Sequence, residues 1–123
     1  MVFDTSALLA YLRQEPGADV VETLLDVPEE NLVSAANWAE LLEIAERRGL
    51  DITPIRELVT VVGFDAVEAE ASTRYTSPGI SLGDRCCLAT AWVRRVAAVT
   101  ADRSWSERFG DAAVVRQVRG PAG

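Results

Sequence analysis

MVFDTSALLAYL, residues 1–12, changes from one structural period to another within a few positions. Met1 to Phe3 are apolar in succession, as a strand buried on both faces requires, and Asp4-Thr5-Ser6 then supplies the short oxygen-bearing side chains that cap helices. Thr5 or Ser6 is read as the cap of an apolar helical stretch that ends at the breakers Glu15-Pro16-Gly17. A strand followed by a helix, with an acid ending the strand, is the opening of a parallel α/β fold.

The same alternation continues outward from this segment. Val20, Val21, Leu24 and Leu25 give Ala18 to Asp26 one apolar helical face, stopped by Pro28, and Asn31 to Val33 is a short buried strand. Ser34 caps a long amphipathic helix with the stripe Ala35, Trp38, Leu41, Leu42 and Ala45, closed by Arg47, Arg48 and Gly49. Thr53-Pro54 reads as a cap and first helical position for a helix through Leu58, before a strand at Val61 to Phe64 and a helix from Asp65 to Thr76. After the break at Ser77-Pro78-Gly79, Ser81-Leu82-Gly83-Asp84 has capping-box form and opens a helix through Arg95. Val96 to Thr100 is a buried strand, Asp102 to Phe109 a short helix or turn, and Ala113 to Val118 a last strand.

The expected fold is therefore α/β: one domain over residues 1–119, with a short, mainly parallel central sheet of about five strands flanked by about six or seven helices. Residues 120–123 are expected to form a frayed tail. Open sheets of this kind bind ligands beyond the carboxyl ends of their strands, where strand order reverses. Functional residues should follow strands directly or sit in the first turn of the next helix.

Composition narrows the chemistry. All 12 basic residues are arginine and histidine is absent, so mechanisms that need a catalytic lysine or histidine are excluded. Nineteen carboxylates, 19 against those 12, leave a net charge of -7, which argues against holding nucleic acid by bulk charge. Any nucleic-acid chemistry must work through bound cations and local arginines. No apolar run is long enough to span a membrane, and the first residues lack a basic signal-peptide region, so a cytoplasmic location is expected. Cys86 and Cys87 are adjacent and diverge by about 100° on a helix, which suits buried free thiols better than a disulfide framework or a zinc site.

Four acids stand out, three of them where the fold rule expects them and Glu40 one turn further on. Asp4 ends the first strand, Glu40 lies in the second turn of the helix after the second strand, Asp84 opens a helix, and Asp102 follows the Val96 to Thr100 strand. Each has an individual structural explanation: capping for the aspartates, and for Glu40 a solvated helix face shared with Glu43 and Glu46. Gathered together without lysine or histidine they would repel one another unless cations sat between them. Hard oxygen ligands favour magnesium or manganese, and two such ions about 3.5 to 4 Å apart suit phosphodiester hydrolysis by water.

The strings MVFDTSALLAYL, SAANWAELLE, SLGDRCCLATA and VTADRSW, in that order, resemble the four sequence blocks of VapC-type PIN domains, the toxins of type II toxin–antitoxin pairs. The resemblance extends over essentially the whole chain. It implies a PIN-like fold in which Asp4, Glu40, Asp84 and Asp102 are catalytic and bind Mg2+ or Mn2+, as one ion or two, with Thr5, Ser6 and Thr100 as supporting hydroxyls. It further implies endonucleolytic cleavage of RNA and a cognate antitoxin that lays a C-terminal segment across the acidic groove. A homodimer is expected as well, and the apolar-rich composition points the same way. Thr5 and Ser6 serve equally well as helix caps.

Arg13, Arg85 and Arg103 are candidate RNA phosphate contacts, two of them directly after an acid of the quartet, with structural salt bridges as the competing reading. Trp38, Trp92 and Trp105 are expected in the core. Three other classes compete: a PIN-like binding or regulatory module without catalysis, another small aspartate-based phosphoryl hydrolase, and a structure-specific DNA nuclease. The second needs a D-x-D pair or a late lysine, which this chain lacks, and the third normally has a much longer chain.

Overall fold

The computed structural model describes residues 1–27, 30–109 and 114–120. In chain order its elements are β1 (Val2–Phe3), α1 (Thr5–Leu12), α2 (Ala18–Leu25), β2 (Leu32–Ser34), α3 (Ala35–Arg48), α4 (Thr53–Arg56), β3 (Thr60–Val62), α5 (Ala66–Ala71), a 3-10 turn (Ser72–Tyr75), α6 (Leu82–Arg94), β4 (Ala98–Thr100), α7 (Trp105–Phe109) and β5 (Val115–Gln117). Pro28, Ala113 and the last three residues, which the sequence reading assigned to a helix stop, a strand start and a tail, lie outside the described residues.

The strands form one sheet in the order β3-β2-β1-β4-β5, and every neighbouring pair is parallel. Strand alternation divides the interior in two. Phe3, Val33 and Val99 point into a core with α1, α2 and Leu41 of α3, while Val2, Leu32 and Ala98 point into a second core with α6, Tyr75 and α7. Registers Val2↔Leu32, Val2↔Ala98 and Phe3↔Val99 keep those faces aligned across the sheet. This double covering explains why β1 is short yet wholly buried.

Local chemistry sets the element ends. Ser34 caps α3 by accepting from the Ala36 N–H (3.2 Å), and Gly49 closes it at φ 64°, a left-handed conformation that glycine adopts without a Cβ penalty. Ser81 caps α6 by accepting from the Asp84 N–H (3.1 Å). The cap of α1 is Asp4 rather than Thr5 or Ser6: the backbone is still extended at Asp4 (ψ 171°), and its carboxylate accepts from the Ala7 N–H at 2.8 Å. Thr53 likewise is the first helical residue of α4 and not its cap, because Ile52 occupies that position and Asp51 accepts the Thr53 N–H at 3.0 Å.

The predicted Asp65 to Thr76 helix is α-helical only through Ala71. There the Ser72 hydroxyl donates to the Ala69 carbonyl (2.7 Å) and the Thr73 hydroxyl to the Glu70 carbonyl (2.8 Å), as the last turn tightens to 3-10. Two residues expected in the apolar interior are exposed. Leu42 lies about 100° round α3 from buried Leu41 and is 37% exposed, and Trp92 is 45% exposed with the Arg74 guanidinium 3.7 Å above its ring. Trp105 is fully buried, as expected, and Trp38 is half-buried. Cys86 and Cys87 are free, buried thiols. None of the described helices is long and apolar enough to cross a membrane.

Candidate metal centre

Strand order reverses at β1: the chain runs outward through β2 and β3, then crosses back to lay β4 on the other side of β1. Asp4 follows β1 and Asp102 stands two residues after β4, so the two flank the crevice at this switch point. Glu40 and Asp84 come from α3 and from the first turn of α6, which pack against each other.

Asp4 is the most enclosed acid, at 2% exposure. Its Oδ1 accepts from the Ala7 N–H and the Ser6 hydroxyl, both at 2.8 Å; its Oδ2 accepts from the Thr100 hydroxyl at 2.6 Å, with Ser6 Oγ at 2.9 Å. Burial nevertheless pushes its pKa up to about 7, with the Asp84 charge adding to the effect and the bonds from Thr100, Ala7 and Ser6 opposing it. Thr100 Oγ1 also accepts from the Asp102 N–H (2.9 Å), and Ser6 Oγ accepts from the Ala101 N–H (3.0 Å). These two hydroxyls therefore lock the end of β4 to the start of α1.

Asp84 is half-buried, and desolvation raises its pKa; Asp102 and Glu40 raise it further, against the hydroxyl and backbone N–H of Ser81. Its charge therefore interacts with those of all three other acids. Asp102 is held by Ser104, whose N–H and hydroxyl both donate to Oδ1 (2.9 and 2.7 Å). Glu40 is exposed and accepts a short hydrogen bond from the Thr5 hydroxyl. It lies so close to α6 that a Cβ added at Gly83 would stand 3.1 Å from both its oxygens.

The structure thus gathers the four acids and puts Thr5, Ser6 and Thr100 against them. Among the described residues the ion pairs are Arg13 with Glu15 and Arg47 with Glu43, so no arginine neutralises the cluster. Burial also raises the pKa of Cys86 and Cys87, which keeps both as neutral thiols and leaves an all-oxygen donor set. That set fits a hard divalent cation: clustered carboxylates, two with raised pKa, have no ion-pair partner among the described residues to offset their repulsion. Among the described residues no three acidic, cysteine or histidine side chains stand together closely enough to hold one ion as they lie. An ion would have to draw the carboxylates inward.

Of the arginines, Arg13 caps the far end of α1, roughly 13 Å of helical rise from Asp4, and pairs with Glu15 at 3.8 Å, as the salt-bridge reading expects. Arg85 is half-buried beside Asp84, and Arg103 is exposed beside Asp102. The sequence reading missed Ser104 and Asn37. An Asp-x-Ser pattern signals the first, since such serines fold back on the aspartate. Asn37 interrupts the apolar stripe of α3 and is 1% exposed; its Nδ2 donates to the Gly83 carbonyl at 3.0 Å and to Thr5 Oγ1 at 3.4 Å.

A doubly covered, all-parallel α/β sheet with clustered carboxylates at its switch point defines an acidic-site α/β domain. The sequence matches the model of the PIN domain over residues 1–109, and the chain belongs to this family of nucleases. Its fold is similar to that of a toxin–antitoxin complex component from Klebsiella pneumoniae, with a TM-score of 0.73 and 22% identity over 97% of this chain and 98% of that one. It is also similar to a chain of VapBC2 from Rickettsia felis, solved bound to a DNA fragment from its promoter, with a TM-score of 0.71 and 15% identity over 95% of this chain and 98% of that one. At these identities the likeness is one of fold. Comparison with curated proteins finds no significant match.

Proposed function

We propose that this protein is a magnesium- or manganese-dependent endoribonuclease acting as the toxin of a toxin–antitoxin pair. The observation that carries the reading is the un-neutralised carboxylate cluster of Asp4, Glu40, Asp84 and Asp102 at the switch point of a PIN domain. These four residues would hold the metal. A bound divalent ion supplies positive charge to the attacking and leaving oxygens of a phosphodiester. The protein's part is to hold the donors: Ser6 and Thr100 fix Asp4, Ser104 fixes Asp102, and Thr5 orients Glu40. Arg85 and Arg103 are suited by position to receive RNA phosphates.

Regulation by an antitoxin is supported by the two similar structures, one a toxin–antitoxin complex and the other VapBC2. A homodimer belongs to the same proposal, with exposed apolar side chains such as Leu82 (64%) and Val67 (63%) available to its interface. Free buried thiols suit a reducing cytoplasm. Incubation of purified protein with single-stranded RNA, with and without chelator, tests the central reading. Cleavage is expected only with magnesium or manganese, and cutting at the same sites in excess chelator would refute it. Co-expression with the product of an adjacent short reading frame should yield a complex with suppressed nuclease activity.

A further inference from the structure

Asn37 and Glu40, three residues apart on one face of α3, grip the same two residues. Asn37 Nδ2 donates to the Gly83 carbonyl at 3.0 Å and reaches Thr5 Oγ1 at 3.4 Å. Glu40 accepts from the Thr5 hydroxyl and lies against Gly83, where a Cβ would stand 3.1 Å from both its oxygens. Gly83 immediately precedes Asp84, and Thr5 immediately follows Asp4. The Asn37 amide therefore ties together the backbones that carry three of the four acids.

Its orientation is unambiguous, because the Gly83 carbonyl can only accept and must face the NH2 end. The opposite end, Oδ1, is buried without a protein partner among the described residues. A buried, unpartnered carbonyl costs stability relative to an apolar side chain of similar volume. Leucine in its place would orphan neither partner: Thr5 keeps Glu40, and Gly83 lies inside α6, where its carbonyl has the helix's own bond. Stability alone does not explain an asparagine here.

We infer, on the reading of the acids as metal ligands, that Asn37 is a positioning residue that sets Glu40 against Asp84 for cation binding. It acts through Gly83 and Thr5 and touches neither metal nor substrate. Groups that orient metal ligands typically contribute ten- to a hundred-fold in metal affinity.

The test is manganese binding without RNA, followed by the loss of the free-ion EPR signal, beside melting temperatures in chelator. Asn37→Leu is expected to weaken manganese binding about tenfold or more while the melting temperature stays level or rises. Where leucine prevents folding, Asn37→Ala carries the same expectation for affinity. The double variant Asn37→Leu/Glu40→Gln should lose clearly less than the product of the two single losses, because Asn37 and Glu40 share their contacts with Gly83 and Thr5. Binding by Asn37→Leu within about twofold of the parent would overturn the inference, as would losses that multiply in full in the double variant. A parent that binds no manganese would overturn the metal reading, and this inference with it.

Discussion

Asp4 caps α1 and accepts from three donor groups, yet its burial keeps the carboxyl near a pKa of about 7. Because the folded pKa lies above the usual 3.8, the folded state binds more protons than the unfolded chain between about pH 4 and 7. Stability from this group is therefore greatest at low pH, falls as pH rises through that window and is flat above it; Asp84, also raised, acts in the same direction. The full swing at Asp4 is on the order of 4 kcal/mol. Asp4→Asn retains a good capping side chain and removes the titration, so in chelator its melting temperature should fall less from pH 5 to pH 8 than the parent's. Equal slopes for the two proteins would contradict this account of Asp4. Asp84 offers a second comparison, because the Ser81 cap uses the Asp84 backbone N–H and survives the change to asparagine. Asp84→Asn should lower RNA cleavage by orders of magnitude, while stability in chelator stays level or rises as one of the mutually repelling charges goes. A variant clearly less stable yet cutting at the parental rate would assign Asp84 to capping alone.

Gly83 shows how the elements share one site. In the first turn of α6, alanine is the better helix former by up to about 1 kcal/mol, but its Cβ would stand 3.1 Å from both Glu40 oxygens. The side-chain end of Glu40 can yield, so Gly83→Ala should leave the melting temperature level or higher while several-fold more magnesium is needed for half-maximal cleavage. Parental magnesium dependence would show that Glu40 need not lie against α6. The order of strands and helices was legible because it is local: apolar runs, Ser34, Ser81 and Gly49 act through their own neighbours. The convergence of the acids was legible for a topological reason, as Asp4 and Asp102 follow strands beside the switch point while Asp84 opens a helix and Glu40 lies in the second turn of another. Burial at particular positions was not, since which face of α3 or α6 meets a neighbour depends on distant residues; Leu42 and Trp92 are exposed for that reason. Asn37 escaped notice because a polar residue on a helix reads as solvated until the helix packed against it is known.

For the molecule as a whole, the difficulty is charge: a protein of net charge -7 must engage a polyanion. Proteins that hold RNA by a basic footprint lose affinity steeply with salt, with a log–log slope of about -0.7 for each phosphate neutralised on a single strand. Here the candidate contacts are three arginines, and Arg13 is turned toward Glu15 at the far end of α1. Association should therefore lean on the cation-filled cluster plus Arg85 and Arg103, giving a slope no steeper than about -2. Fluorescence anisotropy of a labelled single-stranded RNA with the non-cleaving Asp84→Asn variant, at fixed magnesium across a potassium chloride series, measures it. Arg85→Ala and Arg103→Ala should each flatten the slope by somewhat less than one unit, at about -0.7 per contact. A slope of about -5 or steeper would correspond to roughly seven phosphate contacts, more than these arginines supply, and would relocate RNA binding to another face of the domain.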